Sequence, residues 1–235
     1  ARIDYAPTRR VDDLGDEGRV TPKGNTIAAG ATPIYEMTAV RADELAAQRP
    51  RLSRTRLTET VRTVLHVPSD LGPAPHVRLL RGHAIGPHRV ARYAVETERD
   101  IRALLHKPLA RPERSHTLDV EPHIRLYLPH LASDEELADR SDLARRARGR
   151  AALYLLDPRG LGESRPDETG SFFHPYGMDY MMHGHELLFG ASYLGRRVFD
   201  TLRTMQALRL EGARRIDLLG YSQGTIVAAL AALIA

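Results

Sequence analysis

Apolar and polar positions along this chain fall into three regimes. The opening stretch RIDYAPTRRVDDLGDEGRVTPKGNT has no period and is broken by Gly and Pro, which predicts an extended arm. AVRADELAAQRP and LTETVRTVLHV each predict a short helix, stopped at Pro50 and Pro68, and PSDLGPAP reads as a linker. Residues 1–75 are therefore expected as an N-terminal arm with short helices, and residues 76–235 as the main domain. From Val77 the period drops to two. HVRLLRGHAIG and HRVARYAVETE flank a Gly-Pro turn and carry alternating apolar positions such as Tyr93 and Val95, and IRALLHKPL follows as another extended run. This is an antiparallel β entry into a sheet.

The third regime alternates strand and helix. HIRLYLPHL predicts a compact strand ending at Pro129. SDEELADRSDLARRARG then predicts a helix, with a capping box at Ser133 and Glu136, acids in its first turn, arginines in its last and Gly149 as its stop. With the apolar strand AALYLLD, the three make a βαβ unit. PRGLGESRPDETGSFFHPYGMDYMMHGHE reads as a long polar-aromatic loop. After it, apolar residues at Leu194, Val198, Leu202, Met205 and Leu208 predict a helix ended by Gly212. A short strand over Ile216–Leu219 and an apolar terminal helix close the chain. The whole predicts an α/β fold with a mostly parallel sheet and flanking helices, preceded by the arm.

Composition narrows the function. The 235 residues are 42% hydrophobic and 27% charged, an ordinary globular balance. Absence of Cys excludes disulfides, thiolate chemistry and Cys-ligated zinc. The net charge of +4 is nearly all arginine, since Lys23 and Lys107 are the only lysines. Without a recognisable nucleic-acid module it reads as a solvated surface, and no nucleic-acid partner is expected. The longest apolar run is too short to span a bilayer, so no membrane is expected either. His174, His183 and His185 cluster with Asp179, but H-x-H without further spaced ligands is weak for metal. Neither a metal nor a cofactor is expected.

The chemistry concentrates at RRIDLLGYSQGTIVAALAALIA. Gly220-Tyr221-Ser222-Gln223-Gly224 lies between a strand and a helix, the context a nucleophile elbow requires. The plain alternative is a Gly/Ser turn without chemistry. A nucleophilic serine needs oxyanion donors, a histidine base and an orienting acid. The elbow itself supplies the backbone N–H of Gln223. Pro129 has no N–H, so a donor from the preceding strand's end would be His130 or Leu131.

At Asp157–Ser164, DPRGLGES follows a strand, and with the downstream elbow it resembles the α/β-hydrolase superfamily. YLLDPRGLGESRPD, YGMDYMMHGHELLFGASYLGRRVFDTLRTMQAL and GYSQG together look most like bacterial acetyl-xylan-esterase-like hydrolases. The resemblance covers Val77 to Ala235. It implies that Ser222 is the acyl-forming nucleophile, with the N–H groups of Gln223 and Leu131 as oxyanion donors. Asp157, Arg159, Gly160 and Gly162 would shape the loop, and Gly220 and Gly224 the elbow. Arg197 and Asp200 fall where the family packs a helix against the sheet. Pro129-His130 departs from the family's usual His-Gly.

In this superfamily the acid and histidine follow the serine in sequence. Here only thirteen residues follow Ser222 and none is histidine. The chain is therefore expected to be the front part of a longer hydrolase domain with an incomplete sheet, completed by a further segment or a second chain. The expected activity is cleavage of a small or acetylated-carbohydrate ester. A catalytically inactive, hydrolase-like binding or assembly module is the alternative.

Overall fold

The structure, a computed structural model, describes residues 30–85, 88–109, 117–139, 145, 149–166 and 177–235. The chain divides into two compact units, Ala1–Leu52 and Ser53–Ala235. In the first, helix α1 (Ile34–Ala47) begins after Pro33 and buries none of its residues. The second opens with α2 (Arg54–Leu65), whose N-cap Ser53 accepts a hydrogen bond from the Arg56 N–H and whose end is turned by His66 in the left-handed region.

Among the described residues, six strands form one sheet in the second unit. They are β1 (Val77–Ile85), β2 (His88–Glu98), β3 (Ile101–Leu109), β4 (His123–Leu128), β5 (Ala152–Asp157) and β6 (Arg215–Gly220), arranged β1-β2-β3-β5-β4-β6. The expected mostly parallel sheet is corrected here. Only the β5–β4 and β4–β6 pairings are parallel, and the other three are antiparallel. The reason is connection length. Two residues join β1 to β2 and β2 to β3, which permits only hairpins, whereas parallel neighbours need a crossover.

The crossovers are helical. Between β4 and β5 runs α3 (Ser133–Asp139), and between β5 and β6 run α4 (Gly177–Leu188) and α5 (Tyr193–Leu210). After β6 comes α6 (Gln223–Ile234). Period-two alternation sorts the two sheet faces. Ile124, Leu126, Leu128, Tyr154 and Leu156 enter a large core with Leu65 of α2, Val198, Leu202 and Leu208 of α5, and Val227 and Ala231 of α6. Tyr127 and Leu155 face the other way, against Leu137 of α3 and Tyr221.

Two local expectations are also corrected. The anticipated loop after β5 contains a 3-10 turn (Gly162–Ser164) and most of α4, where Asp179 sits favourably in the first turn and Met, Glu and Leu support the helix. Ser133 is not a cap but the first helical residue, and Glu136 bonds further back than a capping box would. The remainder of the predicted helix to Gly149 lies largely outside the described residues.

Candidate active site

The carboxyl ends of parallel strands β5, β4 and β6 lie along one end of the sheet, and the chain passes from β4 to β5 on one side, then back past β4 to β6 on the other. Such a switch point is where open α/β sheets form their sites. Three segments meet there: the loop after β5, the loop after β4 and the turn after β6.

The turn after β6 is the tightest. β6 ends at Gly220 and α6 starts at Gln223, leaving two residues to reverse direction. Ser222 takes φ 48° and ψ −119°, outside the helix and strand regions open to a residue with a Cβ. Such a conformation costs about 1–3 kcal/mol and persists only where its surroundings hold it. Here they do. The Tyr221 N–H donates to the Leu128 carbonyl at 3.1 Å, anchoring the turn to β4. A Cβ on Gly220 would lie 2.5 Å from the Gly224 carbonyl oxygen, and one on Gly224 would lie 2.2 Å from that of Leu128. Both glycines are therefore required by close backbone approach. Ser222 itself is exposed.

Gln223 opens α6, so its N–H belongs to the donors without an intrahelical acceptor. The loop after β4 holds the other expected donor, Leu131. Its N–H and that of His130 donate to one oxygen of Glu136, at 2.7 and 2.8 Å, while the Tyr127 hydroxyl donates to the other at 2.7 Å. Two consecutive amides converging on one carboxylate oxygen make a cradle for negative charge. In this arrangement the Leu131 donor is engaged.

DPRGLGES stitches the loops together. Asp157 is buried, accepting from the Ser133 N–H at 2.9 Å and meeting His106 Nε2 at 3.3 Å. Gly162, at φ 56°, leaves room for that carboxylate, since a Cβ would stand 2.2 Å from its oxygen. The Gly162 N–H donates to the Leu131 carbonyl at 2.8 Å. Arg159 points elsewhere. It bonds Asp200 through its backbone N–H, Nε and Nη2, at 2.9, 2.9 and 2.6 Å, and Glu98 at 2.5 Å. Burial works against the guanidinium charge, but the hydrogen bonds and charges of Asp200 and Glu98 outweigh it and raise the Arg159 pKa.

Arg197, 1% exposed, lies beside the elbow. Asp179 of α4 receives both its Nη atoms at 2.7 Å, Gln223 Oε1 accepts from Nη1 at 2.9 Å, and the Arg159 carbonyl accepts from Nε at 3.1 Å. The guanidinium stands 4.6 Å from the centre of the Tyr193 ring. Burial pushes the Tyr193 hydroxyl's pKa up, partly countered by this neighbouring cation.

Sequence reading placed the elbow and the DPRGLGES loop, which the structure brings to the same sheet end. It gave Glu136 only a capping role and Arg197 only a packing role, and it missed His106. One signal was legible: Arg197, Asp200, Thr201 and Thr204 interrupt the apolar stripe of α5, and all are buried. Buried polar residues demand partners.

Of the residues considered for metal, His174 lies outside the described residues, and Asp179 is held by Arg197. Among the described residues no three His, Cys, Asp or Glu gather for an ion. No described helix is long and apolar enough to cross a membrane. A cavity of about 310 Å³, lined by Arg62, Leu71, Leu202 and Ile234, lies at the opposite end of α6 from Ser222.

No family model matches this sequence, and no curated protein does. Solved structures do match. One is a protein of Bacteroides fragilis NCTC 9343 provisionally assigned as an acetyl xylan esterase, with a TM-score of 0.56 and 16% identity over 92% of this chain. An acetyl xylan esterase from Paenibacillus sp. R4 matches with a TM-score of 0.43 and 20% identity over 86% of the chain. This chain spans 60% of the length of each. At such identities, the first likeness establishes a shared mixed α/β fold with flanking helices.

Proposed function

We propose that this chain carries the nucleophile of an ester hydrolase, and that Ser222 forms an acyl-enzyme. The observation that supports the reading most is the strained backbone of Ser222, maintained by two glycines that nothing larger can replace. A plain turn has no use for a forbidden conformation at an exposed serine, whereas an elbow needs it to present Oγ above the sheet.

In this reading Oγ attacks the ester carbonyl while its proton passes to a histidine base. The tetrahedral oxyanion is held by the Gln223 N–H and, once Glu136 releases it, by the Leu131 N–H. The base returns the proton to the departing alcohol, and water then hydrolyses the acyl-serine. The likeness to acetyl xylan esterases favours a small or acetylated-carbohydrate ester as substrate.

Treating the full-length protein with a fluorophosphonate probe tests this. Labelling is expected at Ser222 and lost in Ser222→Ala. A folded, full-length protein that takes no label would return the chain to a non-catalytic binding or assembly role.

A further inference from the structure

We infer that Arg197 and Asp179 are positioning residues for the oxyanion donor at Gln223, which makes helix α4 part of the catalytic apparatus. The inference rests on the hydrolase reading of Ser222.

The carboxylate of Asp179 already gives the buried Arg197 charge a bidentate partner, through Nη1 and Nη2. Neutralising that charge requires nothing from the elbow. Nη1 nevertheless donates also to Gln223 Oε1, the side chain of the residue directly after the nucleophile. Gln223 carries the first N–H of α6, and its direction depends on how that residue is seated. Gly224 fixes the backbone behind it, against the Leu128 and Pro129 carbonyls. The guanidinium fixes the side chain in front. A planar, rigid fork suits that task, because its donors hold fixed angles to one another. Its remaining bonds reach the Arg159 and Gly160 carbonyls, so the fork is itself indexed to the loop after β5.

A second Arg–Asp pair involving the same helix serves as a contrast. Asp200, one turn further along α5, binds Arg159, which reaches Glu98 and does not touch the elbow. Two part-buried pairs support the helix, and the one built on Arg197 extends to the residue beside the nucleophile. Asp179 comes from α4, so the donor's seating depends on that helix being in place.

The test uses the full-length protein and p-nitrophenyl acetate. Arg197→Lys and Asp179→Asn are each expected to lower kcat about ten- to a hundredfold, the scale of a small misplacement at a reacting centre, with KM nearly unchanged. Inhibition by a boronic acid, which mimics the tetrahedral state, should weaken in parallel with kcat. Gln223→Ala should lower kcat in the same way, and Arg197→Lys combined with Gln223→Ala should be no worse than the poorer single variant, since both remove one coupling. Where Arg197→Lys does not fold, Asp179→Asn and Gln223→Ala decide the matter by the same two readouts. Variants that melt earlier but keep kcat and boronic-acid affinity would overturn the inference, as would losses that multiply in the double variant. Failure of the hydrolase reading looks different: the parent protein itself would then show no turnover or labelling that depends on Ser222.

Discussion

Ser222 holds a conformation that its own side chain disfavours, and the energy to hold it comes from neighbours rather than from the serine. Gly224 is the most exacting of these. A methyl group there would collide with the carbonyls of both Leu128, the last residue of central strand β4, and Pro129 directly after it. Gly224→Ala is therefore expected to destabilise the domain by at least the ~1–3 kcal/mol of ordinary overpacking. Denaturant unfolding would show that loss. Fluorophosphonate labelling at Ser222 should fall with it, because the elbow must open to admit the methyl group. Unimpaired labelling in Gly224→Ala would mean that the turn's geometry does not matter to the serine.

Helix α3 is an element whose sequence signals misdirect. Ser133 and Glu136 match a capping box in spacing, yet the Ser133 N–H goes to Asp157 and the Glu136 carboxylate to His130, Leu131 and Tyr127. Long-range partners won because Asp157, at the end of the neighbouring strand, is buried and must be satisfied. Glu136 thereby orders the loop and occupies its amides together. Glu136→Ala leaves two amides without their acceptor, at a cost of about 1–3 kcal/mol for each that stays buried. The variant should melt earlier than the parent. It should still be labelled at Ser222 at least as fast, since the Leu131 N–H becomes available to the oxyanion. Slower labelling would show that Glu136 matters for the loop's shape and not as the occupant of its donors.

Across the whole second unit, the Asp200 network adds polar ties between β2, the loop after β5 and α5, of which the core also joins β2 and α5. Thr97 at the end of β2 and Arg159 after β5 both donate to the Asp200 carboxylate of α5, which is 0% exposed, and Arg159 also reaches Glu98 of β2. Replacing Asp200 by Asn would leave the Arg159 cation nearly buried with only Glu98 to balance it. Breaking a buried pair in this way costs about 3–5 kcal/mol. Equilibrium denaturation of Asp200→Asn measures it, and a change below 1 kcal/mol would show that Glu98 alone suffices.

Much of this architecture was legible in the residue pattern. Strands β1 to β6, helices α2 and α5, the βαβ order, the elbow and the DPRGLGES loop depend on periods and punctuation within some twenty neighbouring residues, where backbone preference and burial act together. Helix α4 was hidden by the Gly- and aromatic-rich stretch before it. Only the tertiary structure decided the sheet's order, the antiparallel pairing of β3 with β5, and which partners the buried polar groups took. His106 meets Asp157 across 51 positions, and Arg197 meets Gln223 across 26. Hydrogen bonds of that kind leave no periodic trace, because their partners are chosen by what lies adjacent after folding. At Ser222, sequence supplied the glycines, while the packing of β4 against α6 turned them into a necessity.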